Sequence, residues 1–281
     1  MDIVIAAVVA MVVLGVLFAV GLALASRIFA IELDPRLDRI LELLPGANCG
    51  GCGYGGCQSY AEAVINGEKI GLCPVGGKEA AKAVASIMGV EPADIVPQRA
   101  VLHCQGGRGK CDLRANYSGQ QDCRAAHITA GGPKACAYGC LGLGTCAETC
   151  PFGAITMNAE GLPVIDADKC VACGMCIAVC PRALITLLDA RYKTYVGCSS
   201  RDRGKAVKDI CTVGCIACAL CEKKDPHGAV VMENNLPKLD YQKAKGDFSV
   251  AAEVCPMHCF VVEGAGAVAA GVKQAVVQPA K

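Results

Sequence analysis

Cys170, Cys173, Cys176 and Cys180, spaced two, two and three residues apart and followed by Pro181, form a run suited to iron–sulfur clusters. The chain carries 22 cysteines in 281 residues, and most come in tight groups of this kind. Cysteines so close in sequence cannot all pair as disulfides, which need a particular Cα and Cβ separation. They can converge on one metal centre. A second group is Cys49, Cys52, Cys57 and Cys73, the last preceding Pro74. Gly50, Gly51, Gly53, Gly55 and Gly56 let this loop curl closely around sulfur. Four thiolates suit one cubane cluster, and tetrahedral zinc is the rival reading.

In two-cluster ferredoxins the first three cysteines of a run bind one cluster and the fourth binds the other. On that rule Cys170, Cys173 and Cys176 are joined by Cys150, which precedes Pro151. The reciprocal set takes Cys180 as fourth ligand, and counting back from Cys150 calls for positions 146, 143 and 140. Position 143 is Leu143, so Cys136 is the substitute beside Cys140 and Cys146. A further set comes from Cys215, Cys218 and Cys221. There Asp225 replaces the cysteine expected before Pro226, and residues 241–254, upstream of Cys255-Pro256, contain no cysteine. The two losses agree: one cluster of this pair is gone and the other keeps Cys215, Cys218, Cys221 and Cys255. The spacing of Cys136, Cys140 and Cys146 recurs in Cys211, Cys215 and Cys221, an internal echo that supports this alignment.

About four [4Fe–4S] clusters are therefore expected, with three and five as the flanking counts. Cys104, Cys111, Cys123, Cys198, Cys211 and Cys259 stay outside these sets. The ordinary reading is buried free thiols. A further cluster using Cys104, Cys111 and Cys123 is the alternative, with no spacing motif behind it. His103 and His258 lie near cysteines and read as ordinary histidines, with hydrogen bonding to a cluster as the sharper reading.

The elements that position these residues follow from pattern. Residues 3–25 are uncharged and almost wholly apolar, enough to span a bilayer, which needs about 20. A cleaved signal peptide is the rival, with Ala23-Leu24-Ala25 as its site, but only Met1-Asp2 precede the run and no positive charge is present. Arg27, Arg36 and Arg39 follow it, so the positive-inside rule places the bulk in the cytoplasm, beneath the plasma membrane of a single-pass protein. A reducing compartment also suits thiolate ligands. Asp34-Pro35 reads as an N-cap and first helical position, with Leu37, Ile40, Leu41 and Leu44 as an apolar face and Pro45-Gly46 as the stop. Helices are predicted near 58–66 and 77–88. Short strands at 154–156, 184–186 and 229–231 follow the cluster loops.

The fold class is α+β: one transmembrane helix, a small helical Fe–S domain, then ferredoxin-like βαβ modules. The divisions fall at 1–26 (anchor), 27–92 (four-Cys domain), 100–190 (two-cluster module), 191–263 (degenerate one-cluster module) and 264–281, an Ala/Val/Gly-rich tail expected to be disordered. Residues 91–98 read as a linker. The core is thin, so the clusters supply much of the folding energy.

Lys and Arg number 27 against 26 Asp and Glu, which gives no electrostatic footprint for nucleic acid. No nucleophile–base pair, phosphate loop or dinucleotide fingerprint is present; Gly106-Gly107-Arg108-Gly109 lacks the strand–loop–helix context. The chain reads as an electron carrier without a catalytic site of its own. Arg182, Arg191, Lys193, Arg201, Arg203, Lys205 and Lys208 make a basic stretch, ordinarily a solvated face and otherwise a landing patch for an acidic electron carrier.

The order of anchor, Leu-Pro-Gly-Ala-Asn-Cys-Gly-Gly-Cys-Gly-Tyr-Gly-Gly-Cys (44–57), Gly-Cys-Leu-Gly-Leu-Gly (139–144) and the cysteine run closely resembles the B subunits of the Rnf complex, the ion-translocating ferredoxin:NAD oxidoreductase, over residues 1–263. The resemblance implies a subunit of a membrane-bound translocase that takes electrons from soluble ferredoxin toward NAD while Na⁺ or H⁺ is pumped. Flavins and the NAD site would lie on partner subunits, and Cys49, Cys52, Cys57 and Cys73 would hold the first cluster. The other function class is a membrane-tethered polyferredoxin serving another reductase without ion pumping. A structural zinc protein is the third.

Overall fold

The computed structural model describes residues 2–28, 34–92 and 94–263; the predicted tail from Gly264 lies outside them. Helix α1 (Asp2–Ile28) is 27 residues long and buries none of its side chains. At 1.5 Å per residue it extends about 40 Å, more than the ~30 Å hydrocarbon thickness of a bilayer. It is the one helix among the described residues long and apolar enough to cross a membrane.

Three helices form the next unit: α2 (Arg36–Leu43), α3 (Cys57–Ile65) and α4 (Gly77–Met88). Leu37, Ile40 and Leu44 of the predicted apolar face bury against Tyr60, Val64 and Val84. The Asp34 carboxylate accepts from the Arg36 amide at 2.8 Å. Helix α4 ends at Gly89, whose φ of +67° is the left-handed C-cap conformation that glycine adopts freely.

The rest folds as two units of one topology. In the first, β1 (Gln98–Leu102) pairs antiparallel with β4 (Ile185–Asp189) and encloses the hairpin β2 (Ile155–Met157) and β3 (Pro163–Ile165). Between the strands lie α5 (Cys123–Ile128), α6 (Thr145–Glu148) and α7 (Met175–Val179). In the second, β5 (Thr194–Val196) pairs antiparallel with β8 (Phe260–Val262) around the hairpin β6 (Val230–Glu233) and β7 (Leu236–Leu239). Helices α8 (Lys205–Lys208), α9 (Leu220–Lys224) and α10 (Ser249–Glu253) fill it. Each outer pair joins first strand to last, and each inner pair is a local hairpin.

The predicted strands at 154–156, 184–186 and 229–231 appear as β2, β4 and β6, shifted by one residue. Their partners β3, β1 and β7, and the separate pair β5–β8, have no counterpart in the predicted strands. Several are only three residues long, too short for alternation to show. Cysteines are part of both cores: Cys140 and Cys176 pack with Leu184 and Ile185, and Cys215, Cys221 and Cys255 with Val230 and Phe248.

Candidate metal centres

In the helical unit Cys49, Cys52, Cys57 and Cys73 line one cavity. The Asn48 side-chain oxygen accepts from the Cys57 amide at 2.8 Å, which ties the glycine-rich loop to the start of α3. The Tyr60 hydroxyl accepts from the Gly71 and Leu72 amides, each at 3.1 Å, and so fixes the approach of Cys73. The Cys73 Sγ accepts from the Gly76 amide at 3.4 Å, and a Cβ on Gly76 would meet the Ala80 Cβ at 2.6 Å, so only glycine fits there.

In the first of the two strand-paired units Cys173 neighbours Cys150 and Cys170, and Cys176 neighbours Cys170 and Cys173; Cys170 Sγ accepts from the Ala100 amide of β1 at 3.4 Å. Gly174 opens α7 with φ +78°, and Gly144 opens α6 with φ +81°. The equivalent residue before α9 is Ala219, at φ +57°. An alanine there costs roughly 1–2 kcal/mol, which shows how strongly the cysteine loops dictate backbone path.

The reciprocal set differs from the sequence expectation. Cys140, Cys146 and Cys180 share a cavity with Cys123, not with Cys136. Asp122 caps α5, accepting from the amides of Arg124 and Ala125 at 2.7 and 3.0 Å. The Thr145 hydroxyl accepts from the Cys123 amide at 2.7 Å. These bonds carry Cys123 to the helix that bears Cys146. Arg182 meanwhile donates to the carbonyls of Cys136 and Gly139 and holds the Cys136 turn against a different cavity. Cys104, Cys111, Cys198 and Cys211 line that cavity with Cys136. No sequence signal marks Cys123 beyond its place after a capping aspartate, well upstream of Cys140.

In the second unit Cys215, Cys218, Cys221 and Cys255 line a cavity, and Cys259 joins them. Asp225, at the vacant cysteine position, accepts from the amides of His227 (3.1 Å), Val230 (2.8 Å) and Ala229. Its carboxylate braces the turn that a cysteine would otherwise anchor to a cluster.

Burial pushes the thiols of Cys140 and Cys176 up to about 12. The hydrogen bond from Cys259 draws Cys255 the other way, down to about 6, and the same contact raises Cys259. Thiols raised by burial, such as those of Cys140 and Cys176, stay protonated without metal, so their ligation displaces protons. Backbone amides also point at Sγ of Cys73, Cys170, Cys180 and Cys255, as sulfurs of Fe–S ligands require for tuning. Among the described residues no three His, Cys, Asp or Glu side chains converge tightly enough for a single ion. The thiols ring cavities instead, a geometry that fits a cubane better than zinc with its four bonds of about 2.3 Å.

The thiol groups form a sequence in space. Cys173 is a neighbour of Cys49, and a Cβ on Gly51 would meet the Cys173 carbonyl oxygen at 2.9 Å, so the first two cysteine loops touch. Cys176 neighbours Cys146. Of the basic stretch, Arg182 is turned inward to loop carbonyls and Arg191 pairs with Asp189 at 2.6 Å. His103 bridges the Val196 carbonyl and the Thr186 hydroxyl at 2.6 and 2.7 Å, a tie between the two units; burial lowers its pKa.

These donor sets, in a mixed helix–strand fold with one apolar N-terminal helix, define an iron–sulfur protein with several [4Fe–4S] centres. Family models agree: an Fe-S cluster model matches residues 44–75 and a 4Fe-4S dicluster domain matches residues 133–184. Three relatives are similar over most of their length. The chain is 42 % identical over 248 residues (88 % of this chain, 74 % of the relative) to the B subunit of the Na(+)-translocating ferredoxin:NAD(+) oxidoreductase complex of Acetobacterium woodii. It is 42 % identical over 245 residues (86 % and 92 %) to the B subunit of the ion-translocating oxidoreductase complex of Methanosarcina acetivorans. It is 43 % identical over 242 residues (85 % of each) to the B subunit of the proton-translocating ferredoxin:NAD(+) oxidoreductase complex of Clostridium ljungdahlii. The chain belongs to this family, the B subunits of the ion-translocating oxidoreductase (Rnf) complex.

Proposed function

We propose that this protein is the electron-transfer subunit of a membrane-bound ferredoxin:NAD oxidoreductase that pumps Na⁺ or H⁺, and that it accepts electrons from soluble ferredoxin. Its own part is conduction: hydride chemistry and the pump belong to other subunits. Bound [4Fe–4S] clusters supply one-electron carriers. The residues of the chain hold them in line, exclude water and set their potentials through amide-to-sulfur hydrogen bonds. The observation that carries this reading is the contact of the Gly51 and Cys173 loops, which leaves no gap between the first two thiol sets.

The assigned sets are Cys49, Cys52, Cys57 and Cys73; Cys150, Cys170, Cys173 and Cys176; Cys123, Cys140, Cys146 and Cys180; and Cys215, Cys218, Cys221 and Cys255. The nested strand pairs support two ferredoxin-like modules, 100–190 and 191–263. Helix α1 anchors the chain in the plasma membrane, and Arg27, Arg36 and Arg39 keep the modules in the cytoplasm. Substituting Cys173 by Ser in the assembled complex should remove one internal cluster and abolish ferredoxin-dependent NAD reduction. Activity that survived loss of that cluster would sink the reading. Co-purification without integral membrane subunits would favour a tethered polyferredoxin.

A further inference from the structure

Five cysteines that no cluster set above uses surround the seam between the two ferredoxin-type units: Cys104, Cys111 and Cys136 from the first, Cys198 and Cys211 from the second. We propose that this seam is a further iron–sulfur site, with four of these five thiolates as ligands. It rests on the multi-cluster reading above and adds a centre that joins the two units.

The first argument is repeat symmetry. Cys104 follows β1 and Cys198 follows β5. The Cys104 Sγ accepts from the Cys140 amide at 3.3 Å, and the Cys198 Sγ from the Cys215 amide at 3.2 Å. Cys140 and Cys215 are themselves equivalent in the internal echo. Cys136 and Cys211 are likewise equivalent, and a Cβ built on Gly139 or Gly214 would stand 3.4 Å from the Cβ and 3.5 Å from the Sγ of the matching cysteine in both cases. Two repeat-related pairs therefore face one cavity from opposite sides. Amide hydrogen bonds on Cys104 and Cys198 resemble those on Cys73, Cys170, Cys180 and Cys255.

The second argument is close approach. The backbones of Cys111 and Cys211 form an antiparallel bridge across the seam, and Cys111, Cys136 and Cys211 are all buried together. A Cβ on Gly106 would meet the Cys111 Cβ at 3.1 Å and the Cys211 Sγ at 3.3 Å. The loop thus comes as near the sulfurs as backbone can.

The third argument is charge. Lys134 is 6 % exposed, and its ammonium donates to the Gly106 carbonyl. The half-buried Arg182 donates to three carbonyls beside Cys136, and its Nε is the one buried side-chain polar atom without a partner among the described residues. Neither cation meets a carboxylate among the described ion pairs. Buried charges need compensation, and a thiolate-ligated cluster supplies negative charge beside Gly106, where the Lys134 side chain ends; Arg182 lines the neighbouring Cys140 cavity and reaches the seam only through the Cys136 and Gly139 carbonyls.

The site also closes a gap. Cys140 of the third set is a neighbour of Cys104, and Cys198 is a neighbour of Cys215 of the last set. A cluster at the seam would put the second unit in electronic contact with the first.

Iron and acid-labile sulfide, with spin counting by electron paramagnetic resonance, test this on the full-length wild-type chain and on a Cys136→Ala/Cys211→Ala variant, both purified without oxygen. About twenty irons per wild-type chain are expected, five cubanes of four, and the variant should lose about four irons and four sulfides while its other clusters keep their signals. About sixteen irons in the wild type, unchanged in the variant, would overturn the seam site and leave the other four sets standing. Iron near zero would overturn both readings together.

Discussion

Gly51 sits where the N-terminal cysteine loop meets the loop of Cys173, and replacing it by alanine isolates that contact. An added Cβ would stand 2.9 Å from the Cys173 carbonyl oxygen, 2.9 Å from the Pro74 ring and 3.1 Å from the Cys173 Cα. Two of these atoms are backbone, so they cannot swing aside. Ordinary contact begins at 3.4 Å, so the two loops must part by the difference before the methyl group fits. Gly51 is not among the glycines with positive φ, so alanine strains the contact and not the loop itself. Overpacking of this kind costs about 1–3 kcal/mol, which at 1.4 kcal/mol per tenfold lowers the docked over undocked ratio by roughly 5- to 150-fold. The assay is paired: iron content, and magnetic coupling with electron equilibration between the N-terminal cluster and its neighbour. Iron should not change, while coupling weakens and equilibration slows. Gly55→Ala is the control, because a Cβ there meets nothing within 4 Å. If Gly51→Ala matched wild type and control in coupling and rate, the loops would not be the route between these clusters.

Cys123→Ala should cost about four irons per chain, the content of one cubane, because Cys123 shares the cavity of Cys140, Cys146 and Cys180; full iron content would return the ligand role to another thiol. Asp225→Ala removes three amide acceptor contacts from the turn before β6 and should destabilise the second unit by about 1–3 kcal/mol, read as a lower denaturant midpoint for loss of the visible cluster absorbance. The iron-free chain should lose stability in alkali. Burial raises Cys140 and Cys176 to about 12 in the folded state, above the unfolded thiol value near 8.5. Their contribution is therefore complete below that value and is lost as pH rises through it toward 12. Urea midpoints at pH 7, 9 and 10.5 should fall in that order for the iron-free chain; a flat series would refute the burial argument.

Local spacing determined a great deal. A two-two-three run of thiols is a ligand set because residues that close share one loop, and the glycines of 49–57 say that the loop must curl. The apolar 3–25 segment needs only its length and lack of charge to be read as a spanning helix. Asp225 and the cysteine-free 241–254 stretch read together as the loss of one cluster, and in the fold the Asp225 carboxylate accepts from the amides of the turn that follows it. The three predicted strands were legible because each followed a cluster loop and was apolar.

Tertiary structure decided what depends on residues far apart. Cys136 is the nearest substitute in sequence for the ligand expected at position 143, but the cavity lined by Cys140, Cys146 and Cys180 is shared with Cys123, and Cys136 lines another. A capped helix and the Thr145 hydroxyl bring the more distant Cys123 to Cys140 and Cys146, while Arg182 holds Cys136 at the seam. Strands β1 and β5 each pair with the last strand of their own unit, Gln98 opposite Asp189 and Thr194 opposite Val262, beyond the reach of any local pattern. The seam itself gathers cysteines from positions 104 to 211, which carry no common spacing; only the folding of two equivalent units against each other makes them neighbours. The order of the thiol sets has the same origin. Chain position puts the N-terminal domain first, and the Gly51–Cys173 contact decides which set it meets, because backbone-to-backbone approach is a property of packed surfaces and not of spacing along the chain.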